Sequence, residues 1–166
     1  MIVDIFPSGK TSPGNNTWVW TETEPLLQAD LDAGLDISCY LPAAAVEITF
    51  DQARDDDTRG CDDATRQSFG AVTYTWDEIS FIVDPQGDGT ELGNLALGTI
   101  LEDSTAYVSL RMGIKHGTAT SPTEKWDKYM VQTGAAHDTP LPSGKYQRKV
   151  KMSVTKIAKG VVIPAV

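Results

Sequence analysis

Between Asp51 and Asp63 the chain carries six aspartates in thirteen residues, Asp51, Asp55, Asp56, Asp57, Asp62 and Asp63, its densest group of hard oxygen ligands. Oxygens of this kind hold calcium when a loop converges them, but the spacing is not an EF-hand's and no bidentate glutamate follows where one is required. The run reads instead as a solvated acidic loop, with Arg54, Arg59 and Arg66 as counter-charges. Near a channel or a subunit contact its carboxylates would act by repulsion or by pairing. The two imidazoles, His116 and His137, fall in turn-rich stretches and in no metal-binding spacing. Cys39 and Cys61 have no C-x-x-C spacing and read as reduced thiols. Nucleophile elbows, phosphate-cradling loops and dinucleotide fingerprints are missing; Gly87-Asp88-Gly89 is a helix-entry turn without a third glycine. Asp77 and Glu78 are neighbours on an extended stretch and point to opposite faces, so they do not form an acid and base pair. The expectation is a non-enzymatic protein without cofactor or metal.

The elements that must position these residues are organised around Ala71 to Ile114. Val72, Tyr74 and Trp76 alternate with Thr73 and Thr75, the period of a strand with one buried face. Ile79, Phe81 and Val83 continue in the opposite phase. Asp77 and Glu78 must therefore absorb a bulge or sit where the strand changes sheets. Asp84 to Gly89 is dense in turn residues. Asp88 and Glu91 resemble a capping box, and Leu92, Leu95, Ala96 and Thr99 share a helical face, which predicts one flanking helix over about residues 89–101. Ala106, Val108, Leu110, Met112 and Ile114 then alternate with Tyr107, Ser109, Arg111 and Gly113.

Before this core, Thr17 to Thr21 is a short strand whose Trp18 and Trp20 share a face. They either cover the core or belong to an arm that contacts a neighbouring subunit. Residues 26–41 end in a strand at Ile37 to Leu41, and Val46 to Phe50 forms another. After the core, Trp126 to Thr133 is a strand, Gly134 to Gly144 a loop and Tyr146 to Ile157 the last strand. That strand carries Lys149 and Lys151 on a face that guards an edge or meets an acidic neighbour. The apolar segment after Gly160 tucks against the sheet, meets a second subunit or frays. The fold class is mainly β, a two-sheet antiparallel sandwich or barrel with one flanking helix. Residues 1–24 are expected to be an N-terminal arm or extension and residues 25–166 a single domain.

Composition narrows the partners. A chain of 166 residues with 40% hydrophobic content is large enough for one core without staples. No apolar run reaches the roughly 20 residues a bilayer span requires, so membrane embedding is not expected. The net charge of −9 disfavours tight nucleic-acid binding. It is also lopsided: residues 1–103 hold 20 acids and 4 bases, residues 104–166 hold 3 acids and 10 bases. Such polarity suits copies that mate head to tail, unless the two halves interleave in space and cancel.

The order of Asp36-Ile37-Ser38-Cys39-Tyr40-Leu41, Asp56-Asp57-Thr58-Arg59-Gly60-Cys61, Val72-Thr73-Tyr74-Thr75-Trp76-Asp77 and Tyr107-Val108-Ser109-Leu110-Arg111-Met112-Gly113, closed by the strand from Val150 to Ile157, resembles the major tail tube proteins of long, non-contractile-tailed phages of actinobacteria. The resemblance covers about residues 26–163. It implies a virion protein, made in the host bacterial cytoplasm, whose hexameric rings stack into a tube and convey the genome at ejection without binding it tightly. Its partners would be itself, the tape-measure protein and other tail proteins. The acidic run would line the bore or a ring-to-ring contact, and Trp18, Trp20, Lys149 and Lys151 would lie between subunits. The alternatives are another ring-forming component, a terminator or neck protein, and a monomeric sandwich that binds carbohydrate or a host surface through Trp18, Trp20 and Trp126.

Overall fold

The computed structural model describes residues 16–38, 41, 48–57, 66–84, 86, 92–114 and 117–165. Its strands are β1 (Asn16–Thr21), β2 (Leu35–Asp36), β3 (Thr49–Asp57), β4 (Arg66–Thr75), β5 (Glu78–Val83), β6 (Thr105–Met112), β7 (Lys125–Pro140) and β8 (Tyr146–Val162); α1 (Gln28–Ala33) and α2 (Leu92–Thr99) are its helices. Six strands form one antiparallel sheet in the order β2-β1-β6-β7-β8-β5, and β3 and β4 form a separate pair. The mainly β, two-sheet architecture matches the expectation, with the two sheets very unequal in size.

The large sheet curls around one core. Trp18 and Trp20 of β1, Trp76, the inward residues Ile79, Phe81 and Val83 of β5, and Val108, Tyr129, Val131 and Val150 of the central strands share a cluster that Ala96 and Ile100 close from the α2 side. Trp76 centres it, with ring centroids 5.7 Å from Trp18 and 6.3 Å from Tyr129. Burial of that cluster pushes the Tyr129 phenol far above its ordinary range. The face of α2 is corrected: Ala96 and Ile100 point inward and Leu95 is exposed. The capping residues Asp88 and Glu91 lie outside the described residues.

A smaller cluster on the other face of the sheet joins Val19, Leu31, Trp126 and Ile163. Here α1 supplies Leu31. Asp30 at its third position reaches back to accept from the Leu26 and Leu27 amides at 3.0 and 2.8 Å, supplying the cap. Ile163 is buried, and the Pro164 carbonyl accepts the Gln28 amide at 2.9 Å, so the C-terminal segment tucks against the sheet. This second layer explains why Ser109 and Arg111, on the face of β6 opposite the main core, are buried.

Strand β7 extends past Thr133 through the stretch read as a loop, and β8 answers it to Val162. Their pairing is irregular in three places, between Trp126 and Lys128, Met130 and Val131, and Thr133 and Ala136. Each irregularity inserts one unpaired residue and flips the phase of the residues beyond it. On β8 the inward series Val150, Met152 and Val154 passes the extra residue Thr155, whose hydroxyl donates to the Met130 carbonyl at 3.1 Å, and resumes at Ile157. A second shift near Gly160, at φ +63° and with its amide donating to Asp127 at 2.8 Å, turns Val161 to the opposite cluster. The β6 entry is fixed by Thr133, whose hydroxyl donates to the Leu101 carbonyl at 2.7 Å and accepts the Ser104 amide at 2.9 Å.

Candidate assembly surfaces

The strands of the large sheet are staggered, which leaves backbone donors and acceptors without a neighbouring strand. β5 covers β8 only from Tyr146 to Lys151, and the Met152 amide to the Asp77 carbonyl, at 3.0 Å, ends that ladder. From Ser153 to Val162 the same edge of β8 is open among the described residues. On the other side of the hairpin β6 pairs β7 only from Asp127 to Gln132, so the edge from Gly134 to Pro140 is open as well. Long open edges are templates for pairing with another chain.

The second surface is the β3–β4 ribbon. The chain leaves it at Trp76 and Asp77 to enter β5, so this pair sits at the change of sheets. β4 has an extra residue between Phe69 and Val72, and that shift brings Phe50, Tyr74, Val72, Gln52, Arg54 and Phe69 onto one face of the ribbon. Phe50 and Tyr74 stand 6.3 Å apart, and the Arg54 guanidinium lies 5.6 Å from the Phe69 ring. Phe50 and Phe69 are nonetheless 71% and 68% exposed. Val72, expected in the core, is exposed because the ribbon departs from the large sheet; of its alternating set only Trp76 is fully buried.

A model of the family described as phage tail tube protein matches residues 8–166. The chain belongs to that family. It is therefore a structural component of a phage tail and of the virion, and the family points to a non-enzymatic role. No curated protein matches the chain. Among solved structures it is similar to the anti-feeding prophage (AFP) baseplate determined by cryo-EM and 6-fold symmetrised, at 8% identity and a TM-score of 0.42 over 92% of this chain and 95% of that one. Among the described residues no helix is long and apolar enough to cross a membrane.

In this family member the residues singled out from the sequence part company. Trp18, Trp20 and Trp126 are all buried inside the protomer, at 3%, 1% and 2% exposure, which corrects their reading as subunit contacts or as an exposed aromatic platform. Their strand β1 lies between β2 and β6, so Asn16 to Thr21 belong to the sheet and not to an arm spanning residues 1–24. Asp51, Asp55, Asp56 and Asp57 stand on strand β3, not in a loop, with Asp51 exposed. Asp62 and Asp63 lie outside the described residues. Lys149 and Lys151 flank β5, where both reach Glu78 at 3.1 and 3.3 Å. The hydrogen bond from Lys149, aided by that from Lys151, holds the Glu78 carboxyl below its ordinary range.

Sequence reasoning missed Arg111. Its guanidinium is buried, donates to Glu124 at 2.7 Å, to the Thr118 carbonyl at 2.8 Å and to Thr17 Oγ1 at 3.1 Å, and lies 5.2 Å from the Trp126 ring. The signal was there: an arginine in an otherwise small or apolar strand, followed thirteen residues later by the lone glutamate of that half.

Proposed function

We propose that this chain builds the tube of a long, non-contractile tail, of a phage that infects actinobacteria, by closing hexameric rings and stacking them. The observation that carries the reading is the pair of open edges on opposite sides of the β7–β8 hairpin, Gly134 to Pro140 and Ser153 to Val162. Different edges on one subunit favour heterologous contacts, which close into rings or propagate along an axis, and pairing them removes the exposed donors and acceptors. An acidic bore repels phosphate, so the genome passes without sticking, and the net charge of −9 supports that role. The tape-measure protein and other tail proteins are the expected partners, with synthesis in the host cytoplasm before assembly.

Negative-stain electron microscopy of the concentrated protein, across a salt series that weakens charge repulsion, tests this reading. Hollow tubes or six-fold rings are the expected result. Monodisperse monomers under every condition, together with no incorporation into tails in an infected cell, would refute it.

A further inference from the structure

We propose that the β3–β4 ribbon is a docking arm, and that its acidic strand β3 seats in the cleft along the open edge of β8 on a second copy of this chain. The inference rests on the tube reading and specifies one of its contacts.

A two-stranded ribbon is marginal in water by itself, and this one presents Phe50 and Phe69 to solvent on a single face. Among the described residues of the protomer it pairs only with itself. At its root, Val72, Thr73 and Tyr74 do not pair with β8 but stand across a cleft of about 360 Å³ from Val154, Thr155, Lys156 and Ile157. One wall of that cleft is the open edge of β8, where the backbone can accept a further strand.

Length and charge select the occupant. β3 spans nine residues and the open edge, Ser153 to Val162, spans ten. β3 carries four carboxylates, Asp51 and Asp55 to Asp57, against the single guanidinium of Arg54. β8 carries Arg148, Lys149, Lys151, Lys156 and Lys159 and no acid. Of these, Lys156 and Lys159 lie on the stretch that β5 leaves open, and both are exposed. The Lys159 ammonium, 4.9 Å from the Tyr74 ring, already marks that stretch as the basic rim of the cleft. The lopsided charge of the sequence is thus not cancelled at the ribbon. Backbone pairing supplies affinity along such an edge, and the charges fix which strand enters.

Equal parts of nitrogen-15-labelled and unlabelled full chain, concentrated until rings or tubes appear, are treated with a carbodiimide and digested. Amide cross-links that join Asp51 or Asp55 to Asp57 with Lys156 or Lys159 in label-mixed peptide pairs are expected. Lys156→Glu with Lys159→Glu should raise the concentration at which assemblies appear by about tenfold and shift monomer unfolding only slightly, through loss of the exposed contact between Lys159 and Tyr74. Adding Asp51→Lys and Asp55→Lys to the same chain should restore assembly. Tubes that form normally from the Lys156→Glu, Lys159→Glu chain, or wild-type tubes that give no label-mixed links between ribbon and β8, overturn the docking and leave the tube reading standing. A wild-type chain that is monomeric at every concentration and salt and is not incorporated into tails in an infected cell overturns both.

Discussion

Replacing Arg111 by alanine removes a cation from a site built to surround it. The guanidinium is 1% exposed, while its partner Glu124 is 17% exposed and keeps the Ser121 amide at 3.1 Å. The substitution leaves the Glu124 carboxylate, the Thr118 and Ala119 carbonyls and the Thr17 hydroxyl without their donor, and it empties the space beside Trp126. Breaking a buried pair from one side costs about 3–5 kcal/mol. Water reaching Glu124 argues for the lower end, about 3 kcal/mol, with loss of the ring contact included. In a domain of this size that corresponds to a fall in Tm of about 6–12 °C. Urea unfolding at concentrations below assembly measures it. Paired replacement, Arg111→Met with Glu124→Leu, should recover most of the loss, because no charge is then left buried. A loss under about 1 kcal/mol for Arg111→Ala, or a double variant no better than the single, would refute the view that this ion pair anchors the 113–124 loop.

Glu78→Gln should cost about 0.5 kcal/mol at neutral pH, since Lys149 is half-exposed and Lys151 largely exposed. The Glu78 carboxyl is held below its ordinary value of 4.5, so its contribution is fully present above that pH and fades as pH falls through the lower folded value; thermal unfolding of Glu78→Gln should lack that part of the acid dependence. Gly34→Ala would place a Cβ 2.5 Å from Val19 Cγ1 and 2.7 Å from Thr21 Cγ2, and should destabilise by about 1–3 kcal/mol in chemical denaturation. Gly98→Ala, in α2 with nothing within 4 Å of the added atom, should instead stabilise by about 0.5–1 kcal/mol in the same assay.

The legible part of this fold is the part that periodicity can report. Strands with one face in the core, β5 and β6 above all, were legible because their apolar residues recur every second position. Alternation is blind to the layer that covers the other face, so the burial of Ser109 and Arg111 under the α1 layer was hidden. It is also blind to phase shifts, and for that reason β8 read as ending at Ile157 although it runs to Val162. The acidic run looked like a loop because four aspartates offer no apolar pattern; it is a strand because β4 supplies its partners, Thr75 opposite Thr49 through Arg66 opposite Asp57. The tryptophans were visible as anchors, but composition does not tell which side of a protomer boundary an anchor serves.

The three register irregularities of the β7–β8 hairpin bear on how this chain can change over time. Along a regular ladder, gaining or losing one residue turns every later side chain to the wrong face. Here two unpaired residues lie on the β8 side and one on the β7 side, which is why 17 residues match 16. Deleting Thr155 would close one bulge and leave Ile157 opposite Tyr129 and facing the core, whereas deleting a paired residue such as Ser153 would put Met152 and Val154 on opposite faces. Length variation among descendants of this hairpin should therefore come as single residues gained or lost at these three places, and elsewhere be confined to the turn between Leu141 and Lys145, where no face is at stake.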